Sequence, residues 1–425
     1  MDYVLKYRLF PTSHQREQLD WVRDTVRQLY NHGLHRFNRI PESAGTVTQR
    51  VRHIRDEIPA LKDWWTDLNK VYSTVLQQAV EQIATNIDNL GKLRQAGYNV
   101  GSLNWKAPHE YRSFTYRQRG FELDEKSGPT GRGTLTLKKV HGENIDVSIR
   151  LHRPIPEDTD LKHVTVKKDK TGAWYACLNV EQDAPDKPEP SEIDTEATVG
   201  IDLGITSFIH DSDGRQISRV DLSADRDRLE REQRTLSRKE HGSNNWEKQR
   251  QTVAELHKRM RNKKLDFKHK VAAFYTREYD AVFVENLNVK GLLEGDRNGR
   301  NTHEVGWRDF ITILKHHGRK RGCHVVEVAP ANTTKECNEC GVKTDKPLWV
   351  REHSCPSCGF ETDRDYNAAL NVWERGVETL GVVHSEGTPG ETGTAVGTAE
   401  SAAVSASAVV ETGSPCLKDV AVATE

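Results

Sequence analysis

Cys337-Asn-Glu-Cys340, fourteen residues, Cys355-Pro-Ser-Cys358, and then Asp363-Arg-Asp365-Tyr-Asn367-Ala-Ala-Leu-Asn371 is the stretch on which the reading of this chain turns. Two CxxC pairs at that separation have the spacing of a tetrahedral four-cysteine zinc site. Each pair sets two thiolates on a tight knuckle, and the metal closes the loop between the knuckles. Gly341 and Gly359 follow the second Cys of each pair, where the chain must turn back with positive φ. Two disulfides would also account for four cysteines, but nothing else in the chain points to an oxidising compartment, so zinc is the reading adopted. Structural zinc explains folding rather than chemistry. Asp363 and Asp365 head the helix-like run from Asn367, and an Asp at a helix start is ordinarily a cap or a dipole partner. The pair gains chemical meaning only if carboxylates from elsewhere join it.

At 425 residues the chain is long enough for two or three domains. Lys and Arg number 62 against 63 Asp and Glu, so no global basic excess advertises a nucleic-acid partner, and any such function needs locally segregated charge. The N-terminus carries no apolar run of signal-peptide length and no stretch of eighteen apolar residues occurs, so a soluble cytoplasmic protein, associated with the nucleoid if it binds DNA, is expected. Cys177 and Cys323 lie in strand-like apolar runs and read as packing residues; Cys416 has no evident role.

In chain order, Tyr3 to Phe10 alternates as a β-strand ended by Pro11. Thr12 or Ser13 then caps a helix from Gln15 to Phe37, with Leu19, Val22, Val26, Leu29 and Tyr30 on one face. A second helix is expected over residues 68–93, with Val71, Val75, Leu76, Ala79, Ile83, Ile87 and Leu90 in register. From Trp105 the texture changes. Tyr111-Arg112-Ser-Phe-Thr-Tyr116 interleaves aromatics with a base, a turn follows at Gly128, and strand-like runs start at Thr134, Ile145, His163 and Trp174. These suggest a small β-barrel completed by the N-terminal strand, with the helices inserted between. Tyr111, Arg112 and Tyr116 are candidate nucleic-acid contacts, although a barrel also needs aromatics inside. Glu181 to Glu196 holds seven acids, three prolines and one lysine, the composition of a linker.

Past the linker, Thr198-Val-Gly-Ile-Asp202-Leu-Gly204 places one carboxylate inside an apolar strand, where burial is costly unless the group is paired or binds a metal. Asp221 to Lys270 reads as a charged helical hairpin with fifteen Lys/Arg against nine Asp/Glu. Its cluster Lys258, Arg259, Arg261, Lys263 and Lys264 suits phosphate-backbone contact. Tyr279-Asp-Ala-Val-Phe-Val-Glu285 repeats the pattern of Asp202, an acid at the tip of an apolar strand. Asp202, Glu285 and one of Asp363/Asp365 could together hold two Mg²⁺ ions, hard cations that take oxygen ligands, for phosphodiester hydrolysis.

Gly200-Ile-Asp-Leu-Gly-Ile, Val284-Glu-Asn-Leu-Asn-Val, the two CxxC knuckles and Asp363-Arg-Asp-Tyr-Asn-Ala-Ala-Leu-Asn resemble the split RuvC-like nuclease of the TnpB/OrfB family. These proteins are encoded by insertion sequences, often labelled transposases, and similar to the ancestors of type V CRISPR effectors. The opening Lys6-Tyr-Arg-Leu-Phe-Pro-Thr, with Gln15, Tyr30 and Asn31, resembles the family's start, so the likeness runs over about residues 3–375. It implies an α/β plus β-barrel protein, an RNase H-like (RuvC) core with an inserted four-cysteine zinc ribbon. The expected parts are a wedge-like barrel (1–10 and 101–182), a helical recognition domain (11–100), an acidic linker (183–197), the nuclease core (198–332 and 360–375), the ribbon (333–359) and a disordered acidic tail (376–425). It further implies Asp202, Glu285 and Asp365 as the catalytic magnesium ligands. Asp365 is chosen because the family's acid directly precedes the x-Asn-Ala-Ala run. Structural zinc on Cys337, Cys340, Cys355 and Cys358, an element-derived guide RNA, double-stranded target DNA and a separate transposase of the same element complete the implied picture.

Two features depart from the family pattern. The net charge is near zero where a guide-RNA binder should be basic, for which a salt-adapted proteome is one explanation. The tail is rich in Ala, Gly, Ser, Thr and Val and lacks periodicity. The competing reading is a zinc-containing DNA- or RNA-binding regulator of transposition without cleavage activity.

Overall fold

A computed structural model describes residues 2–117, 119–125, 131–156, 159–287, 306–347 and 349–382. The chain falls into two compact units, Asp2–Gln182 and a second beginning at Asp183.

In the first unit, strand β1 (Asp2–Phe10) buries Tyr3, Leu5, Tyr7 and Leu9 and turns Lys6 and Arg8 outward, the period-2 alternation of a half-buried strand. Thr12 and Gln15 form a reciprocal capping box that starts α1 (Ser13–Phe37). Helices α2 (Val47–Asp56), α3 (Ile58–Trp64) and α4 (Ser73–Gln95) follow. Leu29 and Tyr30 of α1 and Val75, Leu76, Ala79, Val80 and Ile83 of α4 are all buried. The helix expected from Leu68 starts only at Ser73: Leu68 and Val71 are fully buried, but the backbone there is a 3₁₀ turn followed by an extended residue. Apolar spacing reported burial there, not helical backbone. Helices α2 and α3 were not foreseen, because α2 buries only Val51 and Ile54 and α3 only Ile58 and Leu61, too few to mark a stripe.

The strands β2 (Ser113–Arg117), β3 (Phe121–Asp124), β4 (Arg132–Val140), β5 (Glu143–Arg150), β6 (Asp160–Lys168) and β7 (Trp174–Glu181) join β1 in one antiparallel, nearly closed barrel sheet of order β2-β6-β7-β1-β5-β4-β3. The N-terminal strand sits at its centre, paired with β5 and β7. Leu135, Leu137, Val147, Ile149, Val164, Val166, Ala176 and Leu178 fill the interior.

The second unit holds a mixed sheet of order β10-β9-β8-β11-β12, from β8 (Thr198–Leu203), β9 (Ser207–Asp211), β10 (Gln216–Ser218), β11 (Ala281–Glu285) and β12 (His324–Val328). The strands β8, β11 and β12 are parallel neighbours, and β8, β9 and β10 pair antiparallel. β8 and β11 are buried along their whole length, as parallel strands covered on both faces must be. The charged hairpin is α5 (Ser223–Ser237) and α6 (Asn244–Glu278), and α7 (Trp307–Arg321) packs on α6. Phe208 of β9 lies 5.0 Å from both Phe267 of α6 and Phe310 of α7.

A small hairpin, β13 (Glu352–Ser354) and β14 (Glu361–Asp363), leads into α8 (Arg364–Leu380). Gly200 lets α8 settle onto β8, since a Cβ there would lie 2.5 Å from the Ala369 carbonyl and from the Trp373 nitrogen. Helix α8 runs to Leu380 with Gly376 buried against Phe283, so residues 376–380, expected in the tail, belong to the core. Residues 383–425 of the expected tail, the turn at Gly128 and the end of the Glu285 motif at Asn288 and Val289 lie outside the described residues.

Candidate metal centres

The two knuckles repeat one backbone pattern. Gly341 and Gly359, at φ 71° and 77°, donate their N–H groups to the carbonyls of Cys337 and Cys355. The Cys337 and Cys355 amides in turn donate to Val342 and Phe360. Sγ of Cys337 lies 3.7 Å from that of Cys358, and Cys340 lies 3.5 Å from Cys355, with all four sulfurs within 4.8 Å of one another. A tetrahedron with Zn–S bonds of about 2.3 Å needs sulfurs about 3.8 Å apart, so the four thiols fit a zinc ion. Hydrogen bonds from the backbone N–H groups of Cys358 and then Ser357 pull the Cys355 thiol down to about 6, whereas burial above all moves the Cys337 thiol up.

The second centre is made of carboxylates. Register Ile201↔Val284 places Asp202 and Glu285 one step further along neighbouring parallel strands. They are 7 % and 5 % exposed. Asp365, in the first turn of α8, is likewise buried, at the helix end whose free N–H groups favour an anion. Burial first, then the carboxylates of Glu285 and Asp365, push the Asp202 carboxyl well above its ordinary range. The three acids therefore share one low-dielectric space. Burial raises Glu285 too, opposed by the Thr333 hydroxyl that donates to it and by Arg375. Among the described residues no hydrogen-bond donor reaches the Asp202 carboxylate. Arg364 and Arg351 offset part of the repulsion at Asp202, and a hard divalent cation between the acids would offset the rest.

Asp363 is different. It is exposed and is the N-cap of α8, accepting from the amides of Asp365 at 2.8 Å and Tyr366 at 3.2 Å. Three further groups at the centre escaped the sequence reading: Thr333 on Glu285, Arg351 with Nη2 2.8 Å from Asp365 Oδ2, and His210 with Nδ1 3.8 Å from the same oxygen. Thr333 lies on the stretch between β12 and the first knuckle, and His210 on β9, the strand next in sequence to that of Asp202, so both could have been flagged by position. Arg351 could not, because it reaches Asp365 only through the fold of the ribbon. The asparagines of the α8 motif also acquire a reason. Asn367 donates to the Glu336 carbonyl and Asn371 to those of Thr333 and Glu336, each at 2.8 Å, tying the helix to the chain that enters the first knuckle.

The candidate nucleic-acid contacts fare unevenly. Tyr111 and Tyr116 are 7 % and 0 % exposed, so they serve the core of the first unit, beside Tyr30 and Tyr72, and offer no stacking face. Arg112 beside them is half-buried. On α6, Arg259 and Lys263 both bond Asp225 of α5, Lys258 and Lys264 also have partners, and Arg261 is exposed.

A family model described as "Probable transposase" (OrfB, IS605 type) matches residues 175–295, and a "Cas12f1-like, TNB domain" matches residues 307–372. A "Putative RNA-guided DNA endonuclease" of Streptomyces pristinaespiralis is 33 % identical over 382 residues, 88 % of this chain and 89 % of the relative. The chain belongs to the TnpB/OrfB family. A second relative, the "Putative RNA-guided DNA endonuclease InsQ" of Escherichia coli K12, is 29 % identical over 52 % of the chain and 58 % of its own length. Among solved structures, a Cas12f1–sgRNA–target DNA complex superposes with a TM-score of 0.56 at 16 % identity, covering 85 % of this chain and 83 % of that one, a likeness of fold. A "Helix-turn-helix domain" model matches residues 1–42 of this TnpB/OrfB chain, yet residues 2–10 form the central strand of the barrel sheet.

Proposed function

We propose that this chain is a transposon-associated, RNA-guided DNA endonuclease that hydrolyses phosphodiester bonds in an RNase H-like (RuvC) site. The observation that carries this reading is that Asp202, Glu285 and Asp365 are all buried, with the Asp202 carboxyl pushed up by the other two. The names of the relatives from Streptomyces and Escherichia coli point the same way. Asp202, Glu285 and Asp365 would hold two divalent ions, Mg²⁺ by preference of all-oxygen ligands, which when bound activate a water and stabilise the leaving 3′ oxygen.

The chain's own groups set the stage for that chemistry. Strands β8 and β11 fix the carboxylates of Asp202 and Glu285, and burial keeps bulk water from screening them. The Thr333 hydroxyl orients Glu285. Arg351 brings a guanidinium to the edge of the cluster, where it can hold a phosphate oxygen of the bound strand. The four cysteines would take one structural Zn²⁺ that fixes the ribbon bearing Arg351. Guide RNA and target DNA would lie against the basic side of α6 and the outward bases of the barrel sheet, Lys6 and Arg8 among them. The magnitude of net charge leaves these local faces as the nucleic-acid surfaces.

A zinc-containing regulator without cleavage activity is less well supported, because such a protein has no need of three buried carboxylates, one of them raised by the other two. The test is direct. The full chain purified with its co-purifying RNA and Mg²⁺ should cut a duplex complementary to the guide beside its recognition motif, and Asp202→Ala should reduce cutting at least a thousandfold while leaving DNA binding intact. Cutting unaffected by Asp202→Ala removes the reading.

A further inference from the structure

Next to the acid cluster lies a second set of potential ligand atoms. His210, Asp363 and Asp365 offer one ring nitrogen and two carboxylate oxygens, all within 4.8 Å of one another. The pairing Asp202↔His210 sets these two residues directly opposite on adjacent antiparallel strands, so their side chains share one face of the sheet. The His210 side chain is only 11 % exposed. Its Nδ1 stands 3.8 Å from Asp365 Oδ2, too far for a hydrogen bond and a span that one cation can bridge with bonds of about 2.1 Å to each side. One oxygen of Asp363 serves as the helix cap, leaving the other available. Independently of this trio, the neighbouring Asp202 is buried and receives no hydrogen-bond donor among the described residues, and Arg364 and Arg351 only partly offset the charge of Glu285 and Asp365 around it.

We propose that His210 is an inner-sphere nitrogen ligand of a divalent cation held with Asp363 and Asp365, and that this nitrogen tilts the centre toward Mn²⁺ over Mg²⁺. Mg²⁺ keeps oxygen ligands and waters in a strict octahedron, whereas Mn²⁺ accepts an imidazole readily. Arg351 now bonds the same oxygen of Asp365, so guanidinium and cation compete for it. The inference rests on the nuclease reading for its purpose, but its evidence is separable from cleavage.

The experiment is pulsed electron paramagnetic resonance on the full chain, with its co-purified RNA, loaded with less than one equivalent of Mn²⁺. The wild type should show nitrogen modulation from a directly bound imidazole, and growth on ¹⁵N-histidine should convert that modulation to the ¹⁵N pattern. His210→Gln and His210→Asn should each bind Mn²⁺ without it. The excess of Mg²⁺ needed to displace half the Mn²⁺ should fall at least fivefold in both. The wild-type labelling result stands whether or not a variant folds. Bound Mn²⁺ without imidazole coupling in the wild type, or coupling that survives in both variants, overturns the assignment. Cleavage without coupling removes the nitrogen ligand and keeps the nuclease; coupling without cleavage keeps the ligand and removes the nuclease.

Discussion

Asp202 shows how one side chain can be a cost to the fold and the reason for it. Its carboxyl is buried, receives no donor among the described residues and is repelled by Glu285 and Asp365. Without a cation the ionised site opposes folding; with one, the same charges become ligands. Asp202→Asn should therefore raise the melting temperature of metal-free protein at pH 7.5 and abolish the rise that Mg²⁺ gives the wild type. A cation at a hundredfold its dissociation constant stabilises by about 2.7 kcal/mol, a shift that calorimetry reads directly. A metal-free Asp202→Asn protein less stable than metal-free wild type would mean that the carboxylate has a partner of another kind. Asp363 and Asp365 make the complementary point. They are the same residue type two positions apart, yet one is an exposed cap and the other a buried acid at the centre. The motif pattern preferred Asp365; the helix turn separates the two roles, because a cap must face back over its own N–H groups while the residue two further on turns inward.

At the level of elements, α8 positions the centre, while α6 and α7 pack on each other and on Phe208 of β9. Gly200 and Gly376 remove the side chains that would hold α8 off the sheet, and the fully buried Ala368 and Ala369 do the same from the helix side. Between α6 and α7 lies a buried imidazole pair, His269 Nδ1 3.0 Å from His317 Nε2, with Arg321 Nη1 2.5 Å from His317 Nδ1. Arginine can only donate, so His317 Nδ1 accepts and its Nε2–H points to His269. Burial, then Arg321 and His269, hold the His317 imidazole down to about 2, against an ordinary value of 6.5. Between those values the unfolded chain binds the proton and the folded chain does not, so stability rises with pH across this window and is lost on acidification below about 6.5. The slope contributed is at most about 1.4 kcal/mol per pH unit. Urea midpoints at pH 7 and pH 5 should differ more for the wild type than for His317→Gln, and equal differences would place the acid sensitivity elsewhere.

For the whole molecule, the four thiols link metal to fold. Metal analysis of the purified chain should return about one zinc per chain, with Cys355→Ser losing it. Because Asn367 and Asn371 tie α8 to the approach of the first knuckle, loss of zinc should also loosen the helix that carries Asp365. Hydrogen exchange should then rise over residues 364–371 as well as over the knuckles, while Asp2–Gln182, a separate unit, stays protected. Exchange confined to the knuckles would uncouple ribbon from helix. No described helix is long and apolar enough to cross a membrane.

Local chemistry alone was enough to read the four-cysteine knuckles, the apolar strands of Asp202 and Glu285, most of the barrel strands and the two longest helices of the first unit, because each is fixed by spacing along the chain: CxxC, period 2, period 3.6. What tertiary structure decided is what depends on contact between distant segments. It buried Tyr111 and Tyr116, committed Arg259 and Lys263 to Asp225, and brought Arg351, Thr333 and His210 to the acids. A pattern of residue types states which side chain can be an acid, a base or a ring. Only the folded chain sets the burial and the neighbours that make it a ligand, a cap or filling for the core.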